Sequence, residues 1–226
     1  MSLIAFQNQD IVIADKPHGI PTVPLKKQAM GGTLLGEVAL LCPEILQIKG
    51  RNDWEFGTLH RLDTATSGLV VFARNQGTYD HLQRMQADDR FEKTYSALVE
   101  ESTRLKGKDL PEEWLKALDR GESIKIESYF RSYGPGSKEV RPIQDIKRSD
   151  NSVKYVTLVR KRDKLFTCSI RKGFRHQIRA HLAWLGYPIL GDPIYGDARW
   201  RGLHTMPLPW ARYSPQRGQP RASSAR

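Results

Sequence analysis

His60-Arg61-Leu62-Asp63-Thr64-Ala65-Thr66-Ser67-Gly68-Leu69-Val70-Val71-Phe72-Ala73 decides most of what this sequence says about its fold. The apolar run from Leu69 to Ala73, entered through small hydroxyl side chains and a glycine, reads as a strand fed by a tight turn. Asp63 sits on that turn. A carboxylate held at a strand edge is costly unless it is partnered or used. The plainer reading is a turn in which Asp63 and Ser67 bond backbone amides; the length of the patterned stretch favours use. If the segment is extended, alternation puts Arg61 on the side of Asp63, where its guanidinium can flank the carboxylate. The alternative for that pair is an exposed ion pair worth about 0–1 kcal/mol.

Working outward, Ile11 to Ala14 reads as a buried strand ended by the turn Lys16-Pro17-His18-Gly19. Thr33 caps a helix through Leu34, Leu35, Val38 and Leu41 that Pro43 stops. Residues 50 to 57 are loop. Residues 76 to 89 put Tyr79, Leu82, Met85 and Gln86 on one helical side, and Lys93 to Val99 alternates like a half-buried strand. The polar stretch from Glu100 to Gly121 carries a short helix around Trp114 and Leu118. Tyr129 to Arg141, with Gly134-Pro135-Gly136, reads as a basic surface ribbon or loop. Val153 to Val159 and Leu165 to Arg171 are strands joined by the charged turn Arg160 to Lys164, and His176 to Leu185 is a helix. Strands and helices mix without regular βαβ alternation, so the fold class is α+β. There are no repeats and no linker, so residues 1–212 form one domain; residues 213–226 are expected to be a disordered basic tail.

A net charge of +11 over 226 residues points to a polyanionic partner, nucleic acid or an acidic membrane surface. No apolar run approaches the roughly 20 residues that span a bilayer, and no basic amphipathic helix is present. The start of the chain lacks the basic and apolar regions of a signal peptide. Cys42 and Cys168 make neither a disulfide framework nor a zinc set, which fits reduced thiols in the cytoplasm.

Two further segments bear on chemistry. Tyr95 in Lys93-Thr94-Tyr95-Ser96-Ala97-Leu98-Val99 either packs in the core or lines a cleft and stacks on an extruded base. Arg171-Lys172-Gly173-Phe174-Arg175-His176-Gln177-Ile178-Arg179-Ala180-His181-Leu182 gathers four positive charges and two histidines at a strand-to-helix junction. Helix-start amides with arginines make a phosphate site; a solvated basic face is the alternative. His176 and His181 lack the i, i+4 spacing and intervening ligands of a metal site. His-Arg-Leu-Asp is not the kinase His-Arg-Asp, and no GxGxxG, Asp-Phe-Gly, GxxxxGK[ST] or GxSxG accompanies it. Gly191 to Gly196 reads as turn chemistry.

Taken together, these segments resemble the RluA-type family of RNA pseudouridine synthases. The matching stretches are Asp15-Lys16-Pro17-His18-Gly19, His60-Arg61-Leu62-Asp63-x-x-Thr66-Ser67-Gly68 and Lys93-x-Tyr95-x-Ala97-Leu98-Val99. The fourth runs His176-Gln177-Ile178-Arg179-x-His181-Leu182-x-x-x-Gly186-x-Pro188-Ile189-Leu190-Gly191-Asp192-x-x-Tyr195-Gly196. They follow the family's order from residue 11 to about 200, without the S4 domain that many relatives carry.

The resemblance implies a mixed, largely antiparallel central sheet with flanking helices and loops, in two halves around a basic catalytic cleft. It implies isomerisation of uridine in structured ribosomal or transfer RNA to pseudouridine, by a monomeric cytoplasmic enzyme with no cofactor or metal. Asp63 then attacks the sugar C1′ or removes a sugar proton. Tyr95 stacks on the extruded uracil and handles the carbon 5 proton, and an arginine pairs with Asp63. The family reads Thr-Gly-Arg-x-His-Gln where this chain has Lys172-Gly173-Phe174-Arg175-His176-Gln177. Arg175 is expected to replace that arginine through a bulge at Gly173, with Phe174 packed in the core and Arg171 as the alternative. Arg61, Lys93, Arg171, Lys172, His176 and Arg179 are the expected RNA contacts. The Glu100 to Ser128 insertion carries none of the motifs and is open to RNA contact. A catalytically idle RNA-binding protein of the same fold is the alternative. A nucleoside glycosidase is disfavoured by the +11 charge.

Overall fold

Two antiparallel sheets and four helices are built from these segments in a computed structural model that describes residues 3–25, 29–108 and 110–196 and the backbone of 212–214. The smaller sheet is β1 (Ile4–Gln7), β2 (Ile11–Lys16) and β3 (Gly68–Ala73), with β2 in the middle. The β-branched run of β2 pairs with β3 in unbroken register, Val12 opposite Phe72 and Ala14 opposite Val70. Two helices flank these strands. Thr33 Oγ1 accepts from the Gly36 amide to start α1 (Leu34–Leu41), which ends before Pro43. Asn75 caps α2 (Gln76–Ala87) in the same way.

The larger sheet contains β4 (Lys93–Leu98), β5 (Ser123–Tyr133), β6 (Glu139–Ile143), β7 (Tyr155–Arg162), β8 (Leu165–Ile170) and β9 (Arg212–Ser214). Their spatial order is β6-β5-β7-β8-β4-β9. Every strand pairing among the described residues is antiparallel, so the sheet expected as mixed is uniform in sense. Helices α3 (Glu112–Asp119) and α4 (Gln177–Leu185) pack on this sheet, α3 against β5 and β7 and α4 against β6 and β7. One apolar cluster, with Val12, Leu35, Leu62, Val70, Tyr95, Ile126, Phe166 and Leu182, joins both sheets. Its burial is the main stabilising term, at about 25 cal/mol per Å² of apolar surface.

Three expectations shift. The ribbon at 129–141 is the far end of an eleven-residue strand beginning at Ser123, turned onto β6 through Gly134 and Gly136 at positive φ. The charged stretch 160–164 is mostly strand, because Val159 is buried while Arg160 and Arg162 alternate outward; only Asp163, at φ 54°, and Lys164 turn. Tyr213 and Ser214, placed in the tail by the sequence, lie in β9 beside β4. Residues 215–226 lie outside the described residues.

Candidate active site

Asp63 stands on the loop leading into β3, and both flanks of that loop are fastened. The Thr22 hydroxyl donates to the Leu62 carbonyl at 2.8 Å and accepts the Leu62 amide at 3.0 Å. The Thr66 amide donates to the Asp63 carbonyl at 2.9 Å, closing the turn. The Gly19 amide donates to the Thr64 carbonyl at 2.9 Å. Lys16 completes the clamp. Its side chain is fully buried, and Nζ donates to the carbonyls of Pro17 (2.9 Å), Ile20 (2.6 Å) and Thr64 (3.2 Å). Burial lowers its pKa to about 8, against the pull of nearby Asp63, which favours the ammonium. The Asp15-Lys16-Pro17-His18-Gly19 motif therefore acts as a brace beneath the Asp63 loop.

Across from this loop lies the start of α4. His176 takes a left-handed conformation (φ 56°) as the residue before the helix. Gln177 is buried and ties the junction together: Oε1 accepts from the Phe174 amide and Nε2 donates to the Val156 carbonyl and Thr157 hydroxyl. One helical turn on, Arg179 reaches the carboxylate. Its Nη1 lies 2.9 Å from Asp63 Oδ2, while Nε (2.7 Å) and Nη2 (2.9 Å) grip Asp192 in a two-pronged pair. Asp192 is 3% exposed at the side chain and Arg179 14%. Burial opposes ionisation of Asp192, but the Arg179 bonds and the amides of Ile194 and Tyr195 outweigh it and hold its pKa below the usual carboxylate range. Burial likewise opposes the Arg179 charge, and the two carboxylates outweigh it. The segment carrying Asp192 is anchored to the end of β4, where Val99 bridges Ile189 and the Leu190 amide donates to the Leu98 carbonyl.

The Asp63 side chain is 34% exposed, and Arg179 and His176 both approach the same oxygen, Oδ2. His176 Nε2 is 3.9 Å from that oxygen, and His176 Nδ1 is 3.2 Å from the Tyr195 hydroxyl. Burial and the Arg179 charge lower the His176 pKa despite Asp63, so the ring is neutral at pH 7 and the Asp63 contact is not a charged pair. Tyr195 is buried beneath the Arg179 guanidinium, 5.2 Å from it, and its hydroxyl donates to the Val140 carbonyl at 3.1 Å and accepts the Val140 amide at 2.9 Å.

The expected arginine is therefore wrong. Arg175 donates to the Ser137 carbonyl on the β5–β6 turn, and Arg171 lies 3.7 Å from Glu92 at the surface. Strand alternation ends with β8 at Ile170, so it cannot aim Arg175; the helix that follows places His176 and Arg179 on one face instead. Phe174 does pack inside, stacked on Phe130 at 4.9 Å. Arg61 pairs with Glu55 at 2.9 Å, not with Asp63, because the 58–67 segment is a loop rather than an extended strand. Arg179, expected on RNA phosphates, is committed to two carboxylates. Lys172 is exposed, 3.9 Å from Asp89. Lys93 is buried beside Tyr95 on the inward face of β4, and burial with the Arg51 charge lowers its pKa to about 8. Tyr95 itself is 9% exposed, opposite Cys168 of β8.

Lys16, Asp192 and Tyr195 were missed as site residues. All three stand in the quoted motifs, but their partners lie far along the chain. His181 is structural, bonded to Thr157 (2.7 Å) and Ser128 (2.8 Å), and burial takes its pKa down to about 3. Among the described residues, no group of three or more His, Cys, Asp or Glu side chains is placed to hold a metal.

A family profile described as RNA pseudouridylate synthase matches residues 10–184. Pseudouridylate synthase RPUSD2 of Homo sapiens is 29% identical over 194 residues, covering 86% of this chain and 31% of that protein. Ribosomal large subunit pseudouridine synthase D of Neisseria meningitidis serogroup B is 26% identical over 196 residues, covering 87% and 46%. The chain thus spans under half the length of these two relatives. Among solved structures, human RNA pseudouridylate synthase domain containing 1 shares the fold with a TM-score of 0.60 at 19% identity, covering 88% of this chain and 71% of that one.

Proposed function

Because this chain belongs to the RNA pseudouridylate synthase family, we propose that it converts a uridine of RNA into pseudouridine, with Asp63 acting on the sugar. The observation that carries this reading is the relay Asp192–Arg179–Asp63, which runs from a buried carboxylate through Arg179 to one oxygen of the part-exposed Asp63 carboxylate. In the reaction the N1–C1′ bond breaks, the uracil turns, and a C5–C1′ bond forms; the carbon 5 proton is lost and N1 gains one. The product is an isomer of the substrate. The Asp63 carboxylate serves attack at C1′ and removal of a sugar proton equally well. Tyr95 is the proposed platform for the uracil and the group that manages the carbon 5 proton. Extruding the nucleotide costs a few kcal/mol, recovered from stacking and from phosphate contacts. The exposed Arg61, Arg171, Lys172 and Arg175 are the proposed phosphate contacts; His176 and Arg179 act through Asp63, and Lys16 as its brace.

The proposal includes a monomeric enzyme working in the cytoplasm on ribosomal or transfer RNA. Both cysteines are free buried thiols, which suits a reducing compartment. No described helix is long and apolar enough to cross a membrane. The name of the Neisseria relative makes large-subunit ribosomal RNA the first substrate to test.

Tritium release from RNA labelled at carbon 5 of uridine tests the reading. Wild-type protein should release label, and Asp63→Asn should abolish release while RNA affinity is unchanged. Comparable release by Asp63→Asn would remove that carboxylate from the chemistry. Binding without release by the wild type would favour an idle RNA-binding protein.

A further inference from the structure

Away from Asp63, two adjoining cavities of about 450 and 270 Å³ share Lys108 and Trp184 as lining residues. The larger is walled by Trp114 of α3 and Trp184 of α4, with Lys108, Lys125 and Lys154 around it. The smaller adds Arg104, Lys106 and Arg141. Together the described lining residues carry six cationic side chains against one carboxylate, Glu127, which is itself tied to Lys125 at 2.5 Å. The aromatic wall is closely packed. The two indoles meet edge to face, 6.3 Å apart at 76°. The Gly107 amide donates to the Trp184 carbonyl at 2.8 Å, and a side chain at Gly107 would overlap the indole, so the loop backbone is pressed against the ring. The trough also abuts the catalytic relay: Tyr195 lines the smaller cavity while bonding to His176 and underlying Arg179.

From this juxtaposition of an indole wall and a row of cations beside the catalytic relay, we propose that the trough binds a single-stranded segment of the substrate RNA outside the target uridine. A base stacks on the tryptophan wall and its neighbouring phosphates lie on Lys108, Lys125 and Lys154. The inference rests on the RNA-modifying reading and extends it to the substrate's path. The volume of the larger cavity falls within the roughly 300–1,000 Å³ usual for small-ligand sites and admits one nucleotide. Indoles alone would suit any apolar group, and lysines alone any anion. Their combination matches a nucleotide, whose base has a π-face and whose backbone is charged. Duplex RNA offers phosphates but no open base face, so the single strand is the occupant. The insertion between β4 and β5 supplies Arg104, Lys106, Lys108 and Trp114, which gives that segment a use.

The test uses the full chain and a 5-iodouridine-substituted oligouridylate. Irradiation should crosslink the oligonucleotide to the peptide containing Trp114 or Trp184. Lys108→Glu with Lys154→Glu, both at exposed positions, should leave the melting curve unchanged and flatten the salt dependence by about 1.4 in log–log slope, at about 0.7 for each single-strand phosphate no longer neutralised. Trp114→Ala should weaken binding by about 5- to 150-fold, the range for one stacked base. Crosslinks confined to peptides around Asp63 and Tyr95, with an unchanged salt slope in the lysine variant, would overturn the proposal. So would equal competition by duplex RNA. Asp63→Asn should still crosslink through the trough. A chain that crosslinks there yet forms no pseudouridine would sink the catalytic reading and leave this one standing.

Discussion

Asp192→Asn tests whether the buried relay, rather than Asp63 alone, makes the site. The substitution nearly preserves shape. An asparagine oxygen can still accept the Ile194 and Tyr195 amides now held at 2.9 and 3.1 Å. It cannot answer the charge of Arg179, and its amide nitrogen, standing where Oδ2 was, presents donors to the Arg179 Nε–H that meets Asp192 at 2.7 Å. Removing one partner of a buried pair costs about 3–5 kcal/mol because the other charge stays buried. Arg179 keeps Asp63 at 2.9 Å, so the low end, about 3 kcal/mol, applies. For a chain of this length that lowers the melting temperature by about 6–12 °C, at about 2–4 °C per kcal/mol. Turnover should fall further than stability explains, by about a hundredfold, because a displacement of the order of 1 Å at Arg179 moves the oxygen it holds. Thermal melting by circular dichroism and tritium release, assayed well below the variant's melting point, measure the two effects. Lys116→Gln, at the exposed Lys116–Glu112 pair, is the control and should shift melting by no more than about 2 °C. An Asp192→Asn protein that melts with the control and turns over normally would refute the relay.

Two further predictions come from the same geometry. Arg175→Ala should leave turnover nearly intact and weaken RNA binding only modestly, whereas Arg179→Ala should abolish turnover; equal loss of turnover in both variants would reinstate Arg175 at Asp63. His60 and His181 have folded-state pKa values lowered by burial to about 3, while in the unfolded chain they titrate near 6.5. The unfolded state therefore binds more protons between about pH 3 and 6.5, so stability is fully present above that window and lost as pH falls through it. Urea unfolding should show a slope of up to about 2.7 kcal/mol per pH unit from the two groups, and a slope no steeper than about 1.4, that of one proton, would show that at least one of them is charged in the fold.

The fold was largely legible because its elements obey local rules. Buried strands such as Val70 to Phe72 and capped helices such as that after Thr33 announce themselves through an unbroken apolar run and a side-chain oxygen. The elements that escaped lack such a signal. β1 is an edge strand, mostly exposed, so Ile4-Ala5-Phe6-Gln7 shows no alternation to read. The start of β5 does alternate, but its third inward residue is Ser128, which belongs inside only because His181 bonds to it from α4. A polar position in the core is invisible until its partner across the fold is known.

The site divides along the same line. Asp63 was legible from its turn, and Arg179 was within reach, since a helix through 176–185 puts His176 and Arg179 three residues apart on one face. Strand alternation points to Arg175 only when it is carried past Ile170, where the strand stops. The positive charges were the harder problem. Composition treats Lys16, Lys93, Arg171, Lys172 and Arg179 alike, as candidates for phosphate. In the fold they separate by burial: Arg171 and Lys172 face water, whereas Lys16 and Lys93 are almost wholly enclosed and Arg179 is held between two carboxylates. A buried cation is tolerated only where carbonyls or carboxylates from elsewhere meet it, and those partners are set by topology rather than by neighbours in sequence. Thr64 lies 48 residues from Lys16 and Asp63 lies 116 from Arg179. The +11 charge is thus two populations, one exposed and available to an anionic partner and one enclosed around the Asp63 carboxylate.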